Sequence, residues 1–175
     1  MLARRVIRVA TTLLLAAGVL LGALLVLPAL AGYQRYAIVS GSMTGTYDRG
    51  SVVFDEVVPV AGLKVGDVIT YRPPAGSGPK GLVTHRIAAI TLDRDGSRVY
   101  RTKGDANAVA DPWTFKLAGP KQARVRAGVP YVGFAVAALS NRRLRMLIVG
   151  VPALLIALSS LARLWRDPEP TGSPA

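Results

Sequence analysis

The chain contains no cysteine. A disulfide framework and a thiolate metal site are both excluded. There is one histidine, His85, so a zinc centre built from histidine and cysteine ligands is excluded as well. Acidic residues are scarce: 10 Asp and Glu stand against 22 Lys and Arg, a net charge of +12. Such an excess raises nucleic-acid binding as a class. The placement of the charges argues against it. Arg4, Arg5 and Arg8 precede one long apolar run, Arg142, Arg143 and Arg145 precede another, and Arg163 and Arg166 close it. Elsewhere basic and acidic side chains are dispersed rather than clustered. The pattern fits membrane electrostatics around a mildly basic domain, with the lipid bilayer as partner and no nucleic acid.

Charge is also missing from the whole stretch between Arg8 and Arg35. Residues 9–30 are almost wholly apolar, long enough to cross a bilayer, and the arginines before them predict a cytoplasmic N-terminus. The rival reading is a cleaved secretory segment, with Ala29-Leu30-Ala31 as an A-x-A site. The length of the run, beyond the roughly 7–15 residues of a secretory apolar core, favours an anchor, and the site is expected to stay intact. Residues 146–164 form a second apolar run, broken by Pro152 and Ser159-Ser160 and closed by Arg163, Trp165 and Arg166. It reads as a returning span, although Arg142, Arg143 and Arg145 then lie on the outer side, against the positive-inside bias. The Pro-containing tail at 165–175 is expected to be disordered.

The middle of the chain is predicted to be mainly β. Residues 38–40, 51–58, 67–72, 82–92 and 98–102 carry β-branched side chains bounded by Gly, Pro and Asp. Asp93-Arg94-Asp95-Gly96 is a hairpin signal, and residues 73–79, rich in Pro and Gly, are a loop. Residues 129–139 are apolar and read either as a core strand or as a membrane-surface segment. The expected organisation is a cytoplasmic N-terminus at 1–8, a transmembrane helix at 9–31, an extracytoplasmic β-rich domain at 32–141, a transmembrane helix at 146–164 and a cytoplasmic tail at 165–175.

Chemistry concentrates in four places. Ser42 stands in Ser40-Gly41-Ser42-Met43, close after the first apolar run, where Gly41 lets a substrate backbone approach. A serine needs a base to act as a nucleophile, and His85, in Thr84-His85-Arg86-Ile87, is the histidine available for it. Asp111 and Asp105 are the carboxylates able to orient the imidazole. Taken singly, each is equally at home as a turn, cap or core residue. A serine, a histidine and aspartates in that order beside a membrane anchor form the parts of a membrane-bound serine hydrolase.

These residues resemble a known family. The chain is similar, over roughly residues 10–165, to type I signal peptidases of the Ser/His kind found in archaea, in the endoplasmic reticulum and in some Gram-positive bacteria. The likeness rests on Ser40-Gly41-Ser42-Met43, then Gly66-Asp67-Val68-Ile69, then Thr84-His85-Arg86-Ile87, then Lys103-Gly104-Asp105-Ala106-Asn107 with Asp111, then Val129-Pro130-Tyr131-Val132-Gly133. Two positions depart from the family pattern. Thr44-Gly45 stands where Glu-Pro is frequent, and Arg49-Gly50-Ser51 where Arg-Gly-Asp is frequent.

The resemblance implies a signal-peptidase-like catalytic domain with one N-terminal and one C-terminal transmembrane helix, multi-pass in the cell membrane with its catalytic face outside the cytoplasm. It implies Ser42 as nucleophile, His85 as base, Asp111 as the acidic third member and Asp105 as a supporting acid. The Ser40 hydroxyl and the Ser42 N–H are the expected oxyanion donors. The implied substrates are signal peptides of exported preproteins, cut after small residues, with no metal or organic cofactor. Accessory subunits are left open. Ile38, Val39, Met43, Val53 and Ile69 are the expected apolar walls for the substrate. Two other readings stand beside this one. The first is a self-cleaving serine protease using Lys64, Lys80 or Lys103 as base. The second is a non-catalytic membrane-anchored β-domain that binds or assembles.

Overall fold

The computed structural model describes residues 2–164, so the expected tail at 165–175 lies outside the described residues. Residues 15–134 make one compact unit, and residues before 15 and after 134 belong to another. The chain opens with α1, Leu2–Leu30. Within α1, Arg5–Leu30 is long and apolar enough to cross a membrane, and among the described residues it is the one such helix. Its end is tightly built. Gly32 sits at φ +85°, its N–H bonds the Ala29 carbonyl at 3.0 Å, and the Tyr33 N–H bonds the Pro28 carbonyl at 2.9 Å. This pair of bonds closes the last turn, and the left-handed glycine makes it possible. Ala29-Leu30-Ala31 is thereby held in the helix terminus rather than extended.

Six strands follow: β1 Gln34–Ala37, β2 Val52–Pro59, β3 Val68–Tyr71, β4 Val83–Leu92, β5 Arg98–Lys103 and β6 Lys121–Val129. They form one sheet in the order β1-β2-β6-β3-β4-β5, antiparallel at every pairing. The sheet is curled. Four strand steps separate β1 from β4 in that order, about 19 Å in a flat sheet. Yet the segment leaving β1 touches β4, and that contact makes the candidate site. Bulges between Phe54 and Asp55 and between Ile87 and Ala89 supply local bending. The core holds Val58, Leu63, Ile69, Tyr71, Ile87, Tyr100 and Phe115, with Tyr71 stacked on Phe115 at a 4.2 Å centroid distance.

Two segments depart from the sequence expectation. Residues 38–40 are not a strand: β1 ends at Ala37, and the chain then turns toward Ser42. Residues 129–139 are not a core strand either. Val129 ends β6, and Val132–Ser140 is a helix, α2, followed by α3 (Arg142–Arg145), a π-helical turn (Met146–Gly150) and α4 (Val151–Leu164).

Asp55, on β2, is a buried carboxylate at 0 % exposure, and neither of its oxygens has a hydrogen-bond partner among the described residues. Burial pushes its carboxyl up from 3.8 to about 6. A raised carboxyl pKa means the folded state holds the proton longer than the unfolded chain. The cost of burying the charge is therefore absent below pH 4 and complete above pH 6. Asp55→Asn is expected to leave stability unchanged near pH 4 and to raise it by about 2–3 kcal/mol at pH 8. Denaturant melts of both proteins at the two pH values check this. An equal effect at both values would contradict it.

Candidate active site

The connection from β1 to β2 carries Ser42. Ile38 and Ser51 pin its ends, with the Ile38 N–H bonding the Ser51 carbonyl at 2.9 Å and the Gly50 N–H bonding the Ile38 carbonyl at 2.8 Å. Between them the chain winds through a turn in which the Tyr47 N–H bonds the Met43 carbonyl at 2.8 Å. Met43 is buried at 1 % exposure, so its side chain anchors the turn from below while its neighbour Ser42 stays half-buried at the surface. From the other side the Ala106 N–H bonds the Ser42 carbonyl at 2.9 Å.

His85 comes from β4, opposite Ile69 of β3. The alternation of the strand explains its burial, since Ile87, two residues on, enters the core on the same face. The His85 Nε2 lies 3.0 Å from the Ser42 Oγ, and the His85 Nδ1 lies 2.7 Å from the Asp111 Oδ2. Asp111 reaches this position because its N–H bonds the Thr102 carbonyl at 2.8 Å, extending the β5 edge. His85 and Asp111 are both buried, at 6 % and 4 % exposure, which strengthens their interaction relative to one in water. The Ser40 Oγ stands 3.2 Å from the Ser42 Oγ.

Asp105 stands elsewhere. It makes a two-pronged ion pair with Arg86, at 2.8 and 2.6 Å, and Arg86 also donates to the Gly66 carbonyl at 2.8 Å. The Arg86 guanidinium holds the Asp105 carboxyl below its usual range. Asp111 therefore contacts the imidazole, whereas Asp105 fastens the turn at 104–107 to the strand that carries His85.

Ser42 and His85 open into an apolar cleft. Ile38, Val39 and Met43 line it, joined by Leu82, Val83 and Trp113, which sequence reasoning did not single out. Val39 is 77 % exposed and Leu82 50 %, so two large apolar side chains stand at its mouth. Val53 and Ile69, expected as walls, are not among the lining residues. Both are at 0 % exposure because their strand faces turn into the core, where Ile69 packs with Tyr71 and Ile87. Lys64, Lys80 and Lys103 do not line the cleft.

No family model matches the chain. Curated proteins do. The chain is 41% identical over 85 residues to signal peptidase I W of Bacillus subtilis, covering 48% of this chain and 42% of that protein. It is 36% identical over 96 residues to the signal peptidase complex catalytic subunit SEC11 of Eremothecium gossypii, covering 55% and 53%. A SEC11 subunit of Schizophyllum commune is 29% identical over 137 residues, covering 67% and 71%. The chain spans about half the length of the first two relatives. It is a homologue of proteins named signal peptidase I and of proteins named signal peptidase complex catalytic subunit.

Proposed function

We propose that this homologue of signal peptidases is itself a membrane-anchored serine endopeptidase that removes signal peptides from exported preproteins after small residues. One observation carries the reading: a serine hydroxyl, an imidazole and a carboxylate are joined in sequence at 3.0 and 2.7 Å beside an open apolar cleft. In this reading the Ser42 Oγ attacks the scissile carbonyl as the His85 Nε2 takes its proton. Asp111 holds the imidazole and stabilises its charged form. The Ser42 N–H and the Ser40 hydroxyl meet the developing oxyanion. His85 then passes the proton to the leaving amine, and water releases the acyl group from Ser42. Asp105 supports the site through Arg86 rather than by touching the imidazole.

The bilayer is part of the mechanism. α1 holds the cleft near the lipid surface where a signal peptide presents its cleavage site, which raises the effective concentration of substrate. Residues 146–164 are assigned as a returning span, with the catalytic face outside the cytoplasm, the N-terminus at 1–8 and the tail at 165–175 inside. Met146, Leu147, Leu154 and Leu158 are all more than half exposed in these helices, as lipid-facing side chains would be. The relatives named as subunits of a signal peptidase complex make accessory subunits for this chain a natural extension of the reading.

A panel of preproteins tests the substrate class. The purified full chain in detergent is expected to cut an A-x-A preprotein after the second alanine. Replacing either alanine by leucine should lower kcat/KM by about tenfold to a hundredfold, because shallow pockets reject added methylenes. Cutting that is indifferent to both side chains would overturn the proposed specificity.

A further inference from the structure

Asp111 is held by more than the imidazole. The Thr102 Oγ1 lies 2.5 Å from the Asp111 Oδ2, the same oxygen that faces the His85 Nδ1. The Tyr71 hydroxyl lies 2.7 Å from the Thr102 Oγ1 and 3.5 Å from the Asp111 Oδ2. The Trp113 Nε1 lies 3.1 Å from the Tyr71 hydroxyl. Thr102 and Tyr71 are buried, at 0 % and 3 % exposure. None of the three belongs to the motifs that mark the catalytic groups in the sequence.

The chemistry of the two ends sets the direction. An indole N–H can only donate and a carboxylate oxygen only accepts, so the Tyr71 oxygen accepts from Trp113 and the Thr102 hydroxyl donates to Asp111. With its hydrogen committed to Asp111, the Thr102 oxygen accepts from the Tyr71 hydroxyl. Burial pushes the Tyr71 phenol up, which keeps it protonated and able to donate. Each donor polarises the next in a low-dielectric setting.

We propose that Trp113, Tyr71 and Thr102 form a one-way hydrogen-bond chain that holds Asp111 as an ionised acceptor and so fixes the proton of neutral His85 on Nδ1. With Nδ1 carrying the hydrogen, Nε2 presents its lone pair to the Ser42 hydroxyl, the state a general base requires. Without the Thr102 donor, a buried carboxylate loses one of its two short hydrogen bonds. It is then free to turn about its terminal torsion, and the Nε2–H tautomer, which cannot accept the serine proton, becomes populated. The three are positioning residues. They touch neither the substrate carbonyl nor Ser42 in this role, and the proposal rests on the catalytic reading given above.

The single histidine makes the test direct. The 175-residue chain in detergent, labelled with nitrogen-15 in the imidazole, is read by NMR at pH 9, alongside kcat and KM for an A-x-A preprotein. The wild type is expected to be wholly Nδ1–H, with that proton far downfield. Thr102→Val should show a substantial Nε2–H fraction and lose kcat by about tenfold or more with KM little changed. Thr102→Ser should restore both readings. Tyr71→Phe should move the tautomer in the same direction by less, and Trp113→Phe by less again. Trp113 also lines the cleft, so for that variant only the tautomer decides.

An unchanged tautomer in Thr102→Val, or in Tyr71→Phe should the valine variant not fold, overturns the proposal even if activity falls. The two readings fail separately. A tautomer that moves as expected in a protein that cuts no preprotein sinks the peptidase reading alone. Normal cutting with an unmoved tautomer sinks the hydrogen-bond chain alone.

Discussion

Ser42→Ala and His85→Ala are each expected to lower the rate of preprotein cleavage by about 10⁴-fold or more, and the double variant is expected to be little worse than either single one. In the proposed mechanism the two side chains share one proton transfer. The serine oxygen at 3.0 Å from Nε2 is a poor nucleophile until the imidazole takes its hydrogen, and the imidazole has no task in attack without the serine. Independent contributions would multiply. A unit that fails when either half is lost does not. The measurement is kcat/KM for the three variants on one preprotein, with melting temperatures to show that each is folded. A double variant slower than either single by the product of their losses would mean that the two act in separate steps.

Gly104→Ala is the second large effect, and it acts through shape alone. A methyl group at position 104 would meet the Ser42 carbonyl oxygen at 2.6 Å, the Asn107 Nδ2 at 2.8 Å and the Ser42 Cβ at 2.9 Å. All three distances are shorter than side-chain carbons tolerate, and the oxygen belongs to the backbone of Ser42, the proposed nucleophile. The Ala106 N–H also holds that same carbonyl at 2.9 Å, and the Arg86–Asp105 pair fastens the turn to β4, so the turn cannot retreat freely. Ser42 must move instead. A displacement approaching an ångström at a reacting atom costs about a hundredfold in rate, and that loss is expected in kcat. Gly119→Ala is the matched control, because its nearest neighbour would lie at 3.9 Å. It should leave both activity and melting temperature as they are. Equal activity for the two variants would show that the nucleophile is not wedged by the 104–107 turn.

Much of this arrangement is legible in the sequence, and the parts that are not share a physical cause. Strands rich in valine and isoleucine, such as β2, β3 and β4, announced themselves because their side chains favour the pleated backbone. β6 did not. Lys121-Gln122-Ala123-Arg124-Val125-Arg126-Ala127-Gly128-Val129 has few β-branched residues, and its place between β2 and β3 comes from backbone pairing on both sides. Residues 132–139 carry no polar side chain, so no period could separate a buried strand from a helix. The order of Ser42, His85 and Asp111 is visible in the sequence, but the residues by themselves leave open which aspartate faces the imidazole, and only the family resemblance points to Asp111. Asp105 and Asp111 are near in sequence, and only the pairing of Asp105 with Arg86 separates them in space. The cleft walls were legible only in part. Ile38, Val39 and Met43 follow the chain into the site, whereas Val53 and Ile69 alternate away from it into the core. Thr102, Tyr71 and Trp113 gave no signal, since a hydroxyl or an indole reads as ordinary core until its partner is seen.

The central claim is that Ser42, activated by His85, cuts a signal peptide. The most direct measurement is the mass of the products when a preprotein with an A-x-A site is incubated with the purified full chain in detergent, beside Ser42→Ala prepared in the same way. The account predicts a single new N-terminus directly after the second alanine with the wild type, and intact preprotein with the variant. Equal cutting by both proteins, or an uncut preprotein with both, would contradict it.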